Sequence, residues 1–406
     1  MVVEPWIGSM WISSRWNFDP DVRAQMNLPR QVQLYDVTLR DGEQMPGIVF
    51  RREDKVKIAK VLDEIGVHRL EAGMPAVSDE DFEAAKEIAH LGLEAKPVAF
   101  CRARRGDIDL ALKCDVWGAL IEVPSSDTLI QHGFQWSREK IMDAALDATS
   151  YAKDHGLHVT FFPYDTTRAD PEYLKTLVTR VVKESKVDAI ACVDTFGCAS
   201  PQAIAQLVRK VKGWVDVPVE IHCHNDMGLA TANALSAVTA GAEVIHTNLC
   251  GIGERAGGAA TEEVAVALRI LYGIDMGLRY ENFYKAGQII QEATGLKLWP
   301  GKPVVGENAF GYEAGIPVMF LKNMKPINAL KEAYSYLPEF VGNKIVVAYG
   351  KKSGGNSVEW RLDQIGVKAT EEQIQRILKR IKEQAIMKKR ALTEPEVDQI
   401  IREETR

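Results

Sequence analysis

Two histidines separated by one residue, His222-Cys223-His224, form the spacing in this chain that most directly suggests chemistry. On an extended strand, residues two apart point to the same face, so both imidazoles can reach one ion while Cys223 turns to the helical layer. A carboxylate from a different strand would complete a three-ligand set and leave positions open for water and substrate, as a Lewis-acid centre requires. Asp41, in the run TLRDGEQ, is the carboxylate expected to do so. Imidazole and carboxylate donors do not select one metal, so Mg, Mn and Zn all remain open. The competing reading of an HxH pair is two core or surface histidines. The polar continuation HxHND after an apolar run favours a strand mouth, and with it the ligand reading.

Such a set needs strands that end at one place. Eight short apolar runs alternate with amphipathic stretches between residues 31 and 275: 31–37, 68–73, 95–101, 119–124, 158–165, 189–195, 219–226 and 244–250. Between them lie helical patterns such as EDKVKIAKVLDEIG and SPQAIAQLVRKVKGW. Ser78, Asp170 and Ser200 read as helix openers, and Gly66, Gly92, Gly156 and Gly241 as closers. Strand and helix repeated eight times predict an α/β fold, a (β/α)8 TIM barrel, with a doubly wound open sheet as the alternative. In a barrel the polar residues after the runs would share one rim: Asp36, Arg40, Asp41, Glu71, Arg102, Tyr164, Asp165, Asp194, Thr195, His222, His224, Asn225, Asp226 and Asn248.

Composition narrows the class. With 46% hydrophobic and 26% charged residues in 406, the chain is globular, which excludes fibrous and disordered classes. A net charge of −6 and spread-out basic residues argue against nucleic acid or an anionic membrane as the main partner. The Arg102–Arg105 cluster could still receive a small anion. Six cysteines with no CxxC pair suit reduced thiols. The N-terminus lacks the features of a signal peptide and no apolar run reaches spanning length, so a cytoplasmic enzyme is expected.

Six stretches together resemble the metal-dependent Claisen-condensing enzymes that include 2-isopropylmalate synthase and homocitrate synthase, with 3-hydroxy-3-methylglutaryl-CoA lyase a more distant cousin. They are YDVTLRDGEQMPG (35–47), DTTRADPEYL (165–174), VDTFGCASP (193–201), HCHNDMGLATANA (222–234), GIGERAGGAATEE (251–263) and VGENAFGYEAGIP (305–317). The resemblance spans roughly residues 31 to 395. It implies that Arg40 polarises a ketone and stabilises the developing alkoxide, and that Asp41, His222 and His224 hold one divalent metal ion. It further implies that Thr195 meets the carboxylate of a 2-oxo acid and that Gln44 orients groups nearby. Arg40–Asp41 as a structural ion pair and Thr195 as a satisfied barrel hydroxyl are the bland alternatives. The GIGERAGG run has the wrong spacing and place for a dinucleotide fingerprint. Its Glu254-Arg255 pair resembles the synthases, where the lyase has a catalytic cysteine.

The chain also departs from the pattern. Tyr312 and Pro317 stand where the synthases usually have histidines, Tyr164 replaces a carboxylate before DTTR, and Gly258 replaces an asparagine often seen near the metal. Proton abstraction from an acyl-CoA needs a base of matched pKa, and Tyr312, Glu313, Glu254 or Cys250 are the candidates read from the sequence.

The organisation expected is an N-terminal arm (1–30), a catalytic barrel (31–275), a linker subdomain (276–340) broken by prolines, and a small helical subdomain (341–406). In the family such linkers cover the partner's site, which implies a homodimer. No leucine-regulatory domain is expected before Arg406. The chain is therefore read as an acyl-CoA:2-oxo acid C-acyltransferase acting on small molecules. The alternative is a metal-dependent lyase or aldolase that cleaves a 3-hydroxy acid or its CoA ester.

Overall fold

Each apolar run becomes a strand in the computed structural model, which describes residues 4–406. The strands are β1 (Gln33–Asp36), β2 (Arg69–Gly73), β3 (Lys96–Arg102), β4 (Gly118–Pro124), β5 (His158–Tyr164), β6 (Ala189–Asp194), β7 (Val219–Cys223) and β8 (Val244–Thr247). They pair in parallel and in chain order. β8 then returns to β1, with Gln33 opposite Val244 and Asp36 opposite Thr247, and closes the barrel. An open doubly wound sheet would keep two edges, so closure excludes that alternative.

The helical layer follows its capping signals. Ser78 Oγ accepts from Asp81 N at 3.1 Å, Asp170 Oδ1 from Tyr173 N at 2.9 Å, and Ser200 Oγ from Ala203 N at 3.3 Å. Each satisfies a backbone donor that the first turn leaves unpaired. Helices Pro171–Ser185 and Pro201–Lys212 also start on proline, whose fixed φ suits the first helical position. Other helices lack so plain a signal. Arg105–Lys113 opens inside an arginine-rich stretch, and Thr261–Leu271 follows a glycine-rich run that reads as loop.

Inside the barrel, alternate residues form an apolar plug of Tyr35, Phe100, Leu120, Phe162, Ala191, Val193 and Val244. Burying a large apolar side chain contributes about 1.5–3 kcal/mol, so this layer fixes the strands' register as well as their stability. One step of two beyond the plug, the inward positions become Glu122 on β4, Tyr164 on β5 and Thr195 after β6. The plug is the floor of the site.

Packing divides the chain into Arg15–Leu298 and a second unit in which the segment ending at Ser14 joins Trp299–Arg406. In the second unit the N-terminal segment pairs with residues 335–337 (Ile12 N to Ser335 O, 3.1 Å; Leu337 N to Met10 O, 2.8 Å), and Trp11 packs on Phe340. Helices Gly355–Ile365, Glu371–Lys388 and Glu394–Glu404 enclose a core that includes Val358, Ile377, Ile381, Val397 and Ile401. No helix among the described residues is long and apolar enough to cross a membrane.

Candidate active site

β7 sets the site by alternation: Glu220, His222 and His224 succeed one another on its inner face, while Cys223 is buried against the helical layer. The Nε2 atoms of His222 and His224 lie 3.2 Å apart, and His224 Nε2 lies 3.9 Å from Asp41 Oδ1. All three residues are buried, and one donor from each falls within 4.8 Å of the others. Donors bonded at about 2.1 Å to one ion at tetrahedral or octahedral angles lie about 2.9–3.4 Å apart, so the histidine spacing suits a shared cation. His224 Nδ1 faces Gly257 O at 3.3 Å, which leaves Nε2 as the lone-pair nitrogen. Burial, then the neighbouring His224, pushes His222 far below the usual imidazole range, so it stays a neutral donor.

The carboxylate is held from behind. Asn248 Nδ2 donates to Asp41 Oδ2 at 3.0 Å. A Cβ on Gly253 would stand 2.6 Å from that same oxygen, and one on Gly258 would stand 2.3 Å from Asn248 Oδ1. The glycine-rich run is therefore glycine so that backbone can pass close to Asp41 and Asn248. The buried carboxamide of Asn248 occupies the space beside Gly258.

Arg40 flanks the triad. Its Nε donates to Glu71 at 2.7 Å and NH1 to Gln44 at 2.9 Å, and its guanidinium lies 4.1 Å from the centre of the Phe100 ring. NH2 is buried with no hydrogen-bond partner among the described residues. Glu71 is fully buried; burial lifts its carboxyl to about 7 although the Arg40 charge pulls it down. Thr195 Oγ1 accepts from Asp165 N at 2.7 Å, so the hydroxyl proton remains free to donate. Arg40, Gln44, Thr195, His222, His224 and Glu254 share the wall of one cavity of about 280 Å³.

Several residues expected at the rim turn outward instead, because they occupy the alternate positions. Asp36 binds Thr38 N and Thr261 Oγ1; Asp165 forms a two-point pair with Arg168; Asp194 receives Cys198 N and Ala199 N. They tie loops to strands. Asn225 accepts from Ala230 N, and Asp226 is clamped by Arg255, which also bonds Thr195 O. In the arginine cluster, Arg102 pairs with Asp107 and Arg105 with Asp147. Glu254 reaches the cavity but pairs with Arg255 at 3.1 Å. Tyr312 belongs to the second unit, where its hydroxyl donates to Ala333 O at 2.8 Å and its ring stacks on Tyr334. Glu313, in the same unit, accepts from Lys352 N, and Cys250 is buried. Glu122 on β4, passed over in the sequence, lines the cavity.

Comparison with known proteins agrees with this geometry. Residues 31–290 match the HMGL-like family, and residues 304–389 match the domain described as homocitrate synthase post-HMGL domain-like. The chain is 42% identical to homocitrate synthase AksA of Methanopyrus kandleri over 93% of its own length and 94% of the relative's. It is 41% identical to (R)-citramalate synthase CimA of Methanocaldococcus jannaschii, covering 87% of this chain and 70% of that one. Among solved structures, the HMG-CoA lyase of Bacillus subtilis superposes with a TM-score of 0.60 at 21% identity over 67% of this chain and 97% of the lyase, a likeness of fold. The chain belongs to the HMGL-like family, on the branch that carries the homocitrate synthase domain behind its barrel.

Proposed function

We propose that this chain joins an acyl-CoA to a 2-oxo acid, giving a 2-hydroxy dicarboxylic acid and free CoA. The observation that carries the reading is the convergence of buried Asp41 with His222 and His224 at the barrel mouth, where the two histidines and Arg40, with its unpartnered NH2, line one cavity. A divalent ion held by the three side chains would supply Lewis-acid polarisation of the 2-oxo acid carbonyl. Arg40, fixed by Glu71 and Gln44, donates to the keto oxygen as negative charge grows there. Thr195 donates its hydroxyl proton to the substrate carboxylate, and Gln44 holds the arginine in plane. Likeness to named synthases at about 40% identity over most of the chain favours condensation over cleavage.

The test is thiol release from a panel of acyl-CoAs with glyoxylate, pyruvate, 2-oxoisovalerate, oxaloacetate and 2-oxoglutarate. Release that requires both a 2-oxo acid and a divalent ion is the expected result. Thioester cleavage of a 3-hydroxyacyl-CoA, with no 2-oxo acid-dependent release, would replace the synthase reading by a lyase.

A further inference from the structure

We infer that Glu122 is the general base of this reaction, taking the α-proton of the acyl thioester. The inference rests on the condensation reading above. β4 sends Leu120 into the apolar plug, and the period of two brings Glu122 inward one step nearer the mouth. There it is half-buried on the wall of the cavity shared by Arg40, Thr195, His222 and His224. Its strand neighbours are Arg102 on β3 and Phe162 on β5.

Neither neighbouring cation bonds it: Arg102 bonds Asp107 at 2.8 and 3.0 Å, and Arg40 bonds Glu71 and Gln44 and keeps its NH2 unpartnered. No side chain among the described residues hydrogen-bonds the Glu122 carboxylate. Burial lifts it to about 7, against the pull of Arg40 and Arg102 and with help from Asp107 and Glu254. Tyr164 faces it from β5 and is pushed up in turn by burial and the Glu122 charge. A base poised near the working pH is the most effective one. The other acids of the cavity do not match. Glu71, behind Arg40, is sealed from solvent and bonded to it, and Glu254 is committed to Arg255.

The step balances within the site. The α-carbon–hydrogen bond breaks, the proton goes to Glu122, and the electron pair becomes the thioester enolate. The enolate carbon bonds to the keto carbon, whose π pair moves to oxygen. That alkoxide takes the proton back from Glu122, and water then cleaves the thioester to release the thiol.

Two rates on the metal-loaded protein separate the possibilities: exchange of acetyl-CoA methyl protons with heavy water, and thiol release with the 2-oxo acid. In Glu122→Gln both should fall at least 100-fold, within the range typical of a lost general base. Metal content and 2-oxo acid affinity should be retained, while Glu122→Asp keeps intermediate rates. In the wild type the rate should rise with pH through about 7, as the carboxylate loses its proton, and this limb should vanish in the glutamine variant. Exchange within threefold of wild type in Glu122→Gln, or an unchanged acid limb, overturns the assignment. Wild-type exchange without 2-oxo acid-dependent thiol release would overturn the condensation reading instead, and the variant's exchange rate would still decide Glu122.

Discussion

The inner face of β7 carries two polar clusters, one residue pair apart, that do opposite things with similar side chains. At the base, Glu220 is fully buried and accepts from Arg69 at 2.8 Å and Thr160 at 3.2 Å, while its other oxygen meets His246 Nε2 at 2.8 Å. Burial alone would raise its carboxyl, but His246 and Arg69 outweigh burial and hold it below the usual range. At the mouth, the Nε2 atoms of His222 and His224 face each other, that of His224 also faces Asp41, and Arg40 keeps one donor unused. The two layers touch, since the His246 and His222 rings meet edge to face at 5.5 Å. A histidine, a carboxylate and an arginine are therefore not a functional signature in themselves. What separates the layers is not pairing, since Arg40 bonds both Glu71 (2.7 Å) and Asp41 (3.4 Å). It is the open groups at the mouth, the Arg40 NH2 donor and the two facing imidazole nitrogens, where both Glu220 oxygens at the base are taken.

That contrast is open to direct attack. Asp41→Asn should lower metal-dependent thiol release by about 10³-fold or more, since a lost metal-centred electrophile is worth several kcal/mol. Thermal stability in a chelator should hardly change. The base should behave in reverse: Glu220→Ala should cost about 3–5 kcal/mol in urea unfolding by leaving Arg69 as an uncompensated buried charge. A Glu220 variant as stable as wild type would end the distinction between the clusters.

The two layers were not equally legible in the sequence. The HxH spacing and TLRDGEQ announce the mouth, because two histidines at a period of two and a carboxylate at another strand end make a three-ligand set. The strands were legible because eight apolar runs keep regular spacing, and their order leaves little choice but closure. Glu122 was hidden inside the apolar run ALIEVP, where one acid reads as a solvent-facing residue; only closure of the barrel and the inward Leu120 reveal its direction. Asp36, Asp165 and Asp194 failed in the opposite sense. A place at a strand end predicts a side chain facing the cavity, whereas alternation sends these three outward to tie loops. Gly258 looked like a lost asparagine. In the fold, the Asn248 carboxamide fills that space from β8's far end and bonds Asp41, a substitution across ten residues that only three-dimensional proximity can show.

If Asn248 does orient the metal carboxylate, then Asn248→Ala should weaken divalent-ion affinity about 10- to 100-fold, the usual cost of losing a group that positions a ligand. Calorimetric metal titration measures this without turnover. Unchanged affinity would confine Asn248 to packing.

The smallest effect sharpens the base layer. His158 stacks on Trp117 with ring centres 4.1 Å apart and sits near Arg69. Burial, then the Arg69 charge, lowers it to about 4, although Asp188, 3.7 Å away, pulls the other way. The folded protein thus refuses a proton that the unfolded chain accepts below about 6.5. Its contribution to stability is complete above that pH and is lost as pH falls towards 4. Allowing for water around a partly exposed ring, the loss is about 1–2 kcal/mol, or a few degrees in Tm for a domain of this size. His158→Gln should therefore show a shallower fall in Tm between pH 6.5 and 4 than wild type. Parallel slopes would mean that the ring takes up its proton without cost and that the base tolerates a third charge beside Arg69 and Glu220.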